Sequence, residues 1–240
     1  MEVRPPPGIG PVPPAMPPEL SPEPATRRSG FPKLGCGIAL VVAAALVAVS
    51  WPVIHKQRKM ADMTKAIGNA KQIHLALHNF DADFGRFPDA TTIPRVREAT
   101  KTTLALGTTT SNDHFRQMIA TVSKMESIFW AKTPATPRKP NEILGADALG
   151  KGECSYSYVA GLSSTSNSAT PIIMTPMIPG TNQFDPAAFE GKAVVLRIDG
   201  SAKAEVIRTD DHKAAVPGGT LFDPSSPIWN GKPPDLKWPE

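Results

Sequence analysis

The sequence predicts an α+β chain in which a single transmembrane helix continues into a long amphipathic helix packed on a small antiparallel β-sheet head. Three observations carry that prediction. The run from Leu34 to Ile54 contains no charged residue. Apolar side chains then recur every three or four positions from Met60 to Phe84, the spacing of one helix face. Beyond residue 150 the texture changes to short apolar runs separated by turn-forming residues. The chain therefore divides into a Pro-rich tail or leader at 1–33, a membrane helix at 34–54, its amphipathic extension at 55–88, and an α+β head at 89–240.

Composition narrows the class before any element is read in detail. The 240 residues are 20% charged and 40% hydrophobic, near the average for a folded chain. A net charge of +4 lacks the dense Lys/Arg clustering of a nucleic-acid binder, so no nucleic-acid partner is expected. Two cysteines, Cys36 and Cys154, exclude a disulfide framework and a Cys-based zinc module. Eleven of the 27 prolines lie in the first 32 positions. Proline fixes φ and has no N–H, so the tail cannot form a helix or a central strand and is expected to be a solvated, polyproline-biased segment. The Pro11-x-x-Pro14 and Pro14-x-x-Pro17 matches to a ligand motif arise readily in so Pro-dense a stretch.

As a helix, residues 34–54 would extend about 31 Å, the thickness of a hydrocarbon core. Trp51 stands near one end, where an indole suits the interface, and Lys33 and His55-Lys56-Gln57-Arg58-Lys59 bound the run. A cleaved secretory signal, with Ala48-Val49-Ser50 as its small-x-small site, is the rival reading; it calls for a shorter core and a short basic start. A lipoprotein signal fails on order, because the apolar run follows Cys36. Arg27, Arg28 and Lys33 before the span stand against Lys56, Arg58, Lys59 and Lys65 after it, a count that leans slightly toward a cytoplasmic C-terminal part without deciding orientation.

Pro52 is a candidate kink. The stripe Met60, Met63, Ile67, Ala70, Ile73, Leu77, Phe80, Phe84 follows, with Lys65, Lys71, His78 and Asp81 off it. Gly85 is placed to cap the helix and Pro88 to stop it. Ser111-Asn112-Asp113 resembles an N-cap group for a second helix at 113–131, broken near Ser123, and 133–140 reads as a connector. Strands are expected at Ser155–Ala160, Pro171–Thr175, Lys192–Ile198 and Ala202–Ile207. The last two flank Asp199-Gly200, a type I′ hairpin signal. Residues 161–169 read as a flexible loop, and Leu221–Glu240 as a segment wrapping the surface.

These features together resemble the type IV pilin and type II secretion pseudopilin family. The residues that carry the resemblance are Asn69-Ala70-Lys71-Gln72-Ile73-His74-Leu75-Ala76-Leu77-His78-Asn79-Phe80, Gly85-Arg86-Phe87-Pro88, and Val195-Leu196-Arg197-Ile198-Asp199-Gly200-Ser201. The match is fairly specific over 60–90, thin at the hairpin, and absent across 100–190. The resemblance implies a non-enzymatic structural subunit or accessory of a type II secretion or type IV pilus-like system. It further implies a single pass through the bacterial inner membrane with an extracytoplasmic head. The partners would be the lipid bilayer, like or other pilin-like subunits meeting through the long helix, and a prepilin peptidase. Arg27-Arg28-Ser29-Gly30-Phe31 has the order of that peptidase's substrate, implying cleavage between Gly30 and Phe31. The family then carries Glu at the fifth mature position; here that position is Gly35, preceded by Pro32 and Lys33. A membrane-tethered extracytoplasmic binding or sensor domain that does not assemble stays open as the alternative.

No catalytic, cofactor-binding or metal-binding residue is expected, and no cofactor. His74 and His78 share a helix face at i, i+4, but Leu75 stands where a metalloprotease helix carries Glu. They read as solvated or head-facing side chains. Asp83-Phe84-Gly85 is a helix end without the other kinase motifs. Ser163, Ser164 and Ser166 form a polar loop, and Cys154 a small buried side chain. Asp185, Asp199, Asp210, Asp211 and Asp223 are expected in turns, where Asp bonds its own backbone, rather than on calcium.

Overall fold

The computed structural model describes residues 33–229 and 231–240, with side-chain surroundings from Ala44 onward apart from Val49. The chain divides into two compact units, one through Val47 and the other from Ala48 to Glu240. The first helix, α1 (Lys33–Phe84), runs without a break through Pro52. The missing proline N–H leaves the Ala48 carbonyl without its usual helical partner. Among the described residues no helix is long and apolar enough to cross a membrane. The expected span at 34–54 lies partly outside them, since the side chains of 34–43 and Val49 are not described.

From Met60 the stripe does what its spacing requires. Met63, Ala66, Ala70, Ile73, Ala76, Leu77, Phe80 and Phe84 are buried, and Met60 and Ile67 half-buried. The helix ends at Gly85, whose φ of +79° suits glycine and whose N–H bonds the Asp81 carbonyl at 2.6 Å. Arg95 adds a cation at the same terminus, its Nη2 donating to the Asp83 carbonyl at 3.1 Å.

Two helices follow. The first of them, α2 (Ile93–Thr100), was not expected from the sequence; Pro94 lies in its first turn, a start signal that its short length obscures. The next, α3 (Ser111–Thr121), begins two residues before the expected second helix and stops ten short of it. Its N-cap is Thr110, not the Ser-Asn-Asp group, and Thr110 and Asp113 exchange the reciprocal bonds of a capping box. A separate 3₁₀ turn at Glu126–Phe129 takes up the rest.

The expected strands form at β1 (Ser157–Ala160), β2 (Pro171–Thr175), β3 (Lys192–Arg197) and β4 (Ala202–Val206). A short hairpin, β5 (Ala215–Val216) with β6 (Gly219–Thr220), stands apart, and β7 (Asp235–Lys237) closes the main sheet. That sheet is wholly antiparallel in the order β4-β3-β2-β1-β7. Two expectations are corrected here. The Asp199-Gly200 turn is not type I′, which needs positive φ at both residues: only Gly200 has it, at +79°. Gly200 N–H bonds the Arg197 carbonyl and Arg197 N–H the Ser201 carbonyl, which makes a three-residue loop with Gly200 in the left-handed position. The C-terminal segment does more than wrap the surface. Leu221, Phe222 and Trp229 are buried, and β7 pairs with β1.

Both sheet faces are covered, which explains why β2 is buried along its whole length and β3 at all but its ends. Tyr156, Tyr158, Ile173, Val194 and Leu196 join the stripe of α1 and the apolar side of α3 in one core. Val159, Met174, Ala193 and Val195 meet Ile207, Leu221, Phe222 and Trp229 in a second.

Candidate functional site

Of the residues singled out by the sequence, Asn69, His74 and His78 lie on the seam where α1 runs along the head. Apolar burial supplies most of its energy, and hydrogen bonds set its register. Asn69 donates to the carbonyls of Ser127, at 3.0 Å, and Trp130, at 2.7 Å, in and just after the 3₁₀ turn. The hydroxyl of Tyr156 donates to the Ala66 carbonyl at 2.8 Å, and that of Tyr158 to the Pro88 carbonyl at 2.9 Å. Tyr156 and Tyr158 are two apart, so both point to the α1 face of the sheet. Burial raises both phenols well above their ordinary range, so they act as neutral donors.

His74 and His78 face the head. Nε2 of His74 lies 3.0 Å from the Ile198 carbonyl, at the β3–β4 turn, and the two imidazoles are 4.3 Å apart between centroids. A Cβ on Gly200 would come within 2.8 Å of the His74 ring, so the turn glycine also makes room for the histidine. His78 packs against Phe87, and its Nε2 is buried without a partner. Among the described residues no group of three or more His, Cys, Asp or Glu side chains is placed to hold a metal ion.

The Gly85-Arg86-Phe87-Pro88 elbow is a second junction. Phe87 is buried and its N–H bonds the Leu162 carbonyl at 3.2 Å. The Pro88 carbonyl meets both Tyr158 and the Nδ1 of His114, the latter at 3.1 Å. Burial, reinforced by the charge of Lys237, holds the His114 imidazole below its ordinary range. Asp89 caps the next turn through the N–H of Thr91 at 2.7 Å and pairs with Arg86 at 2.8 Å. The Thr92 hydroxyl and the Gln117 side chain join this network, which ties α2 to α3.

The remaining candidates make contacts within the fold. Ser164 donates to Asp81 at 2.6 Å, pinning the 161–169 loop to α1, and Ser163 N–H bonds Ser166. Cys154 is fully buried, which pushes its thiol up to about 12 and leaves it un-ionised. Asp185, Asp199, Asp211 and Asp223 each accept the N–H two residues on, the Asx-turn bond. Arg208 holds Asp210 down to about 2. Gly30 and Phe31 lie outside the described residues.

Sequence reading missed one hub, Arg116. Its Nε and Nη2 donate to the Ala148 and Leu149 carbonyls at 2.8 and 2.9 Å, while Nη1 pairs with Asp113 at 3.0 Å and Nη2 with Glu240 at 3.3 Å. Asp113 is a local i,i+3 partner, but Ala148, Leu149 and Glu240 lie far along the chain and no local pattern marks them.

The rest of α1 is different in kind. The described side chains from Ala44 to Arg58 are all exposed, among them Leu46 at 63%, Val47 at 61% and Trp51 at 64%. Comparison with protein-family models, curated proteins and solved structures finds no match.

Proposed function

We propose that this chain is a non-enzymatic, single-pass membrane protein of pilin-like architecture, a structural subunit or accessory of a type II secretion or type IV pilus-like system. Residues 34–54 are the membrane anchor, and the head stands outside the cytoplasm. The observation that carries this reading is the long helix itself. Its early part exposes large apolar side chains, Leu46, Val47, Trp51, Val53 and Ile54, and its later part is docked on an antiparallel head. An exposed apolar surface of this kind calls for a non-aqueous neighbour. The work such a protein does is mechanical: the apolar helix anchors and packs, the head presents a surface, and no active site is needed.

A second reading, a tethered binding or sensor domain that does not assemble, is favoured by Pro32, Lys33 and Gly35. Without a carboxylate at Gly35, a processed terminal amine would have no partner in the bilayer, where an unpaired charge is costly.

Intact mass and N-terminal sequencing of the protein extracted from membranes separate the two. A chain beginning at an N-methylated Phe31 establishes prepilin processing. A membrane-bound chain beginning at Met1 moves the function to the tethered domain. Recovery in the aqueous fraction without detergent overturns both.

A further inference from the structure

Residues 130–156, between the 3₁₀ turn and β1, contain no helix or strand. Asn112 and Arg116 hold the carbonyls of 148–150, and three glutamate side chains hold N–H groups within and beside the segment. Glu142 accepts the N–H groups of Glu126 and Ser127, both at 2.9 Å, capping the 3₁₀ turn. Glu153 accepts those of Asn141 at 3.1 Å and Gly150 at 2.8 Å. Glu126 accepts that of Leu149 at 2.5 Å. Both Glu142 and Leu149 take left-handed φ, +58° and +49°, which costs a non-glycine residue energy that surrounding contacts must offset.

Glu126 differs from the other two. It is fully buried, and its second oxygen, Oε2, has no partner. A carboxylate with one bare oxygen in such a place is poorly solvated, whereas a neutral carboxyl keeps the Leu149 bond and carries no charge. The ionisable groups facing it offer little compensation. From the loop come Glu142 and Glu153, both acidic. Arg116 of α3 meets the same stretch of loop, but its guanidinium is spent on the Ala148 and Leu149 carbonyls and on Asp113 and Glu240.

We infer that Glu126 is a proton-controlled latch on the 141–153 loop: neutral, it holds the loop on the 3₁₀ turn; ionised, it lets the loop open. The direction of its titration agrees. Burial raises the carboxyl above its ordinary range, and the charges of Glu153 and Glu142 act the same way, against the Leu149 hydrogen bond. The closed loop therefore binds a proton that the open loop gives up as pH rises. The latch is tight in mild acid and loosens toward neutrality. It does not depend on whether the chain assembles.

The test is hydrogen exchange on the full-length protein across pH 4 to 8, with intrinsic rates divided out. Between the open-state and closed-state values of a single linked carboxyl, protection of 141–150 should fall by up to about tenfold per pH unit. The amides of β2 and β3 should hold steady. Glu126→Gln should make the loop's protection independent of pH. Should that variant fold poorly, the Glu126 carboxyl carbon followed by NMR in the native protein serves instead: it should titrate above the ordinary carboxyl range, over the same pH interval in which the loop loses protection, and a carboxyl ionised throughout that interval overturns the latch. Loop protection that ignores pH in the native protein overturns the latch. So does a dependence that survives Glu126→Gln, or one shared equally by β2 and β3.

Discussion

Residues 44–58 and 60–84 belong to the same helix, and both are rich in apolar side chains, yet their surroundings are opposite. Every described side chain of the first stretch is exposed, whereas the second buries eight in the core of the head. The difference lies in arrangement. Ala44–Ala48 and Trp51–Ile54 are apolar at every position, so the apolar surface runs right round the helix and a partner on one side cannot cover it all. From Met63 to Phe84 the buried apolar positions fall on one face, and Lys65, Lys71 and the exposed Leu75 lie off it. What surrounds a helix is thus specified by where its apolar residues fall around it, more than by how many there are.

That contrast can be broken from either end. The largest effect is expected on the docked side. Phe80 is fully buried and stacks on Phe84 at 4.5 Å between centroids, so Phe80→Ala should destabilise the head by about 3–5 kcal/mol in denaturant unfolding. A cost below about 1 kcal/mol would mean the seam is not the core it looks like.

Gly200→Ala comes next, with about 1–3 kcal/mol expected from its left-handed backbone and the clash with His74. Adding His74→Ala should recover the steric part and leave the backbone part. Strictly additive costs would show that the turn and the histidine are uncoupled.

His114 sharpens the comparison through pH. Its folded imidazole is held below the ordinary value of 6.5, so the folded state binds fewer protons than the unfolded one as pH falls past that value. Stability should be fully present above it and decline on acidification by at most about 1.4 kcal/mol per pH unit, a slope that His114→Gln removes. The smallest effect belongs to the exposed stretch. Leu46→Ser with Val47→Ser should change head stability by no more than about 0.5 kcal/mol, while weakening retention in membranes if the proposed anchor is there. A large loss of stability would place these side chains in the folding core and undo the comparison.

The elements were legible to different depths. The docked stripe, the Gly85 cap and β2 follow from local spacing and breakers, because each is decided within one or two turns of chain. The short α2 and β7 were not legible. Eight and three residues carry too little periodicity to stand out, and β7 exists as a strand because β1 offers an edge to pair with. The hairpin shows the limit most closely. Asp199-Gly200 correctly marks a turn, but the register of β3 and β4 decides that Ile198 and Asp199 occupy the corner and Gly200 the left-handed position.

By itself, then, the sequence determined the α+β class, the long helix with its docked stripe, the four main strands, the burial of Cys154 and the turn or loop positions of the aspartates. These depend on composition and short-range periodicity, which are properties of neighbouring residues. Only the tertiary structure decided which groups meet: Tyr156 with Ala66, Asn69 with Ser127 and Trp130, Arg116 with Leu149 and Glu240, and Glu126 with the loop that returns to it. The physical reason is that a buried donor or acceptor must find a partner wherever the packed chain supplies one, and for these residues the partner comes from a distant part of the chain.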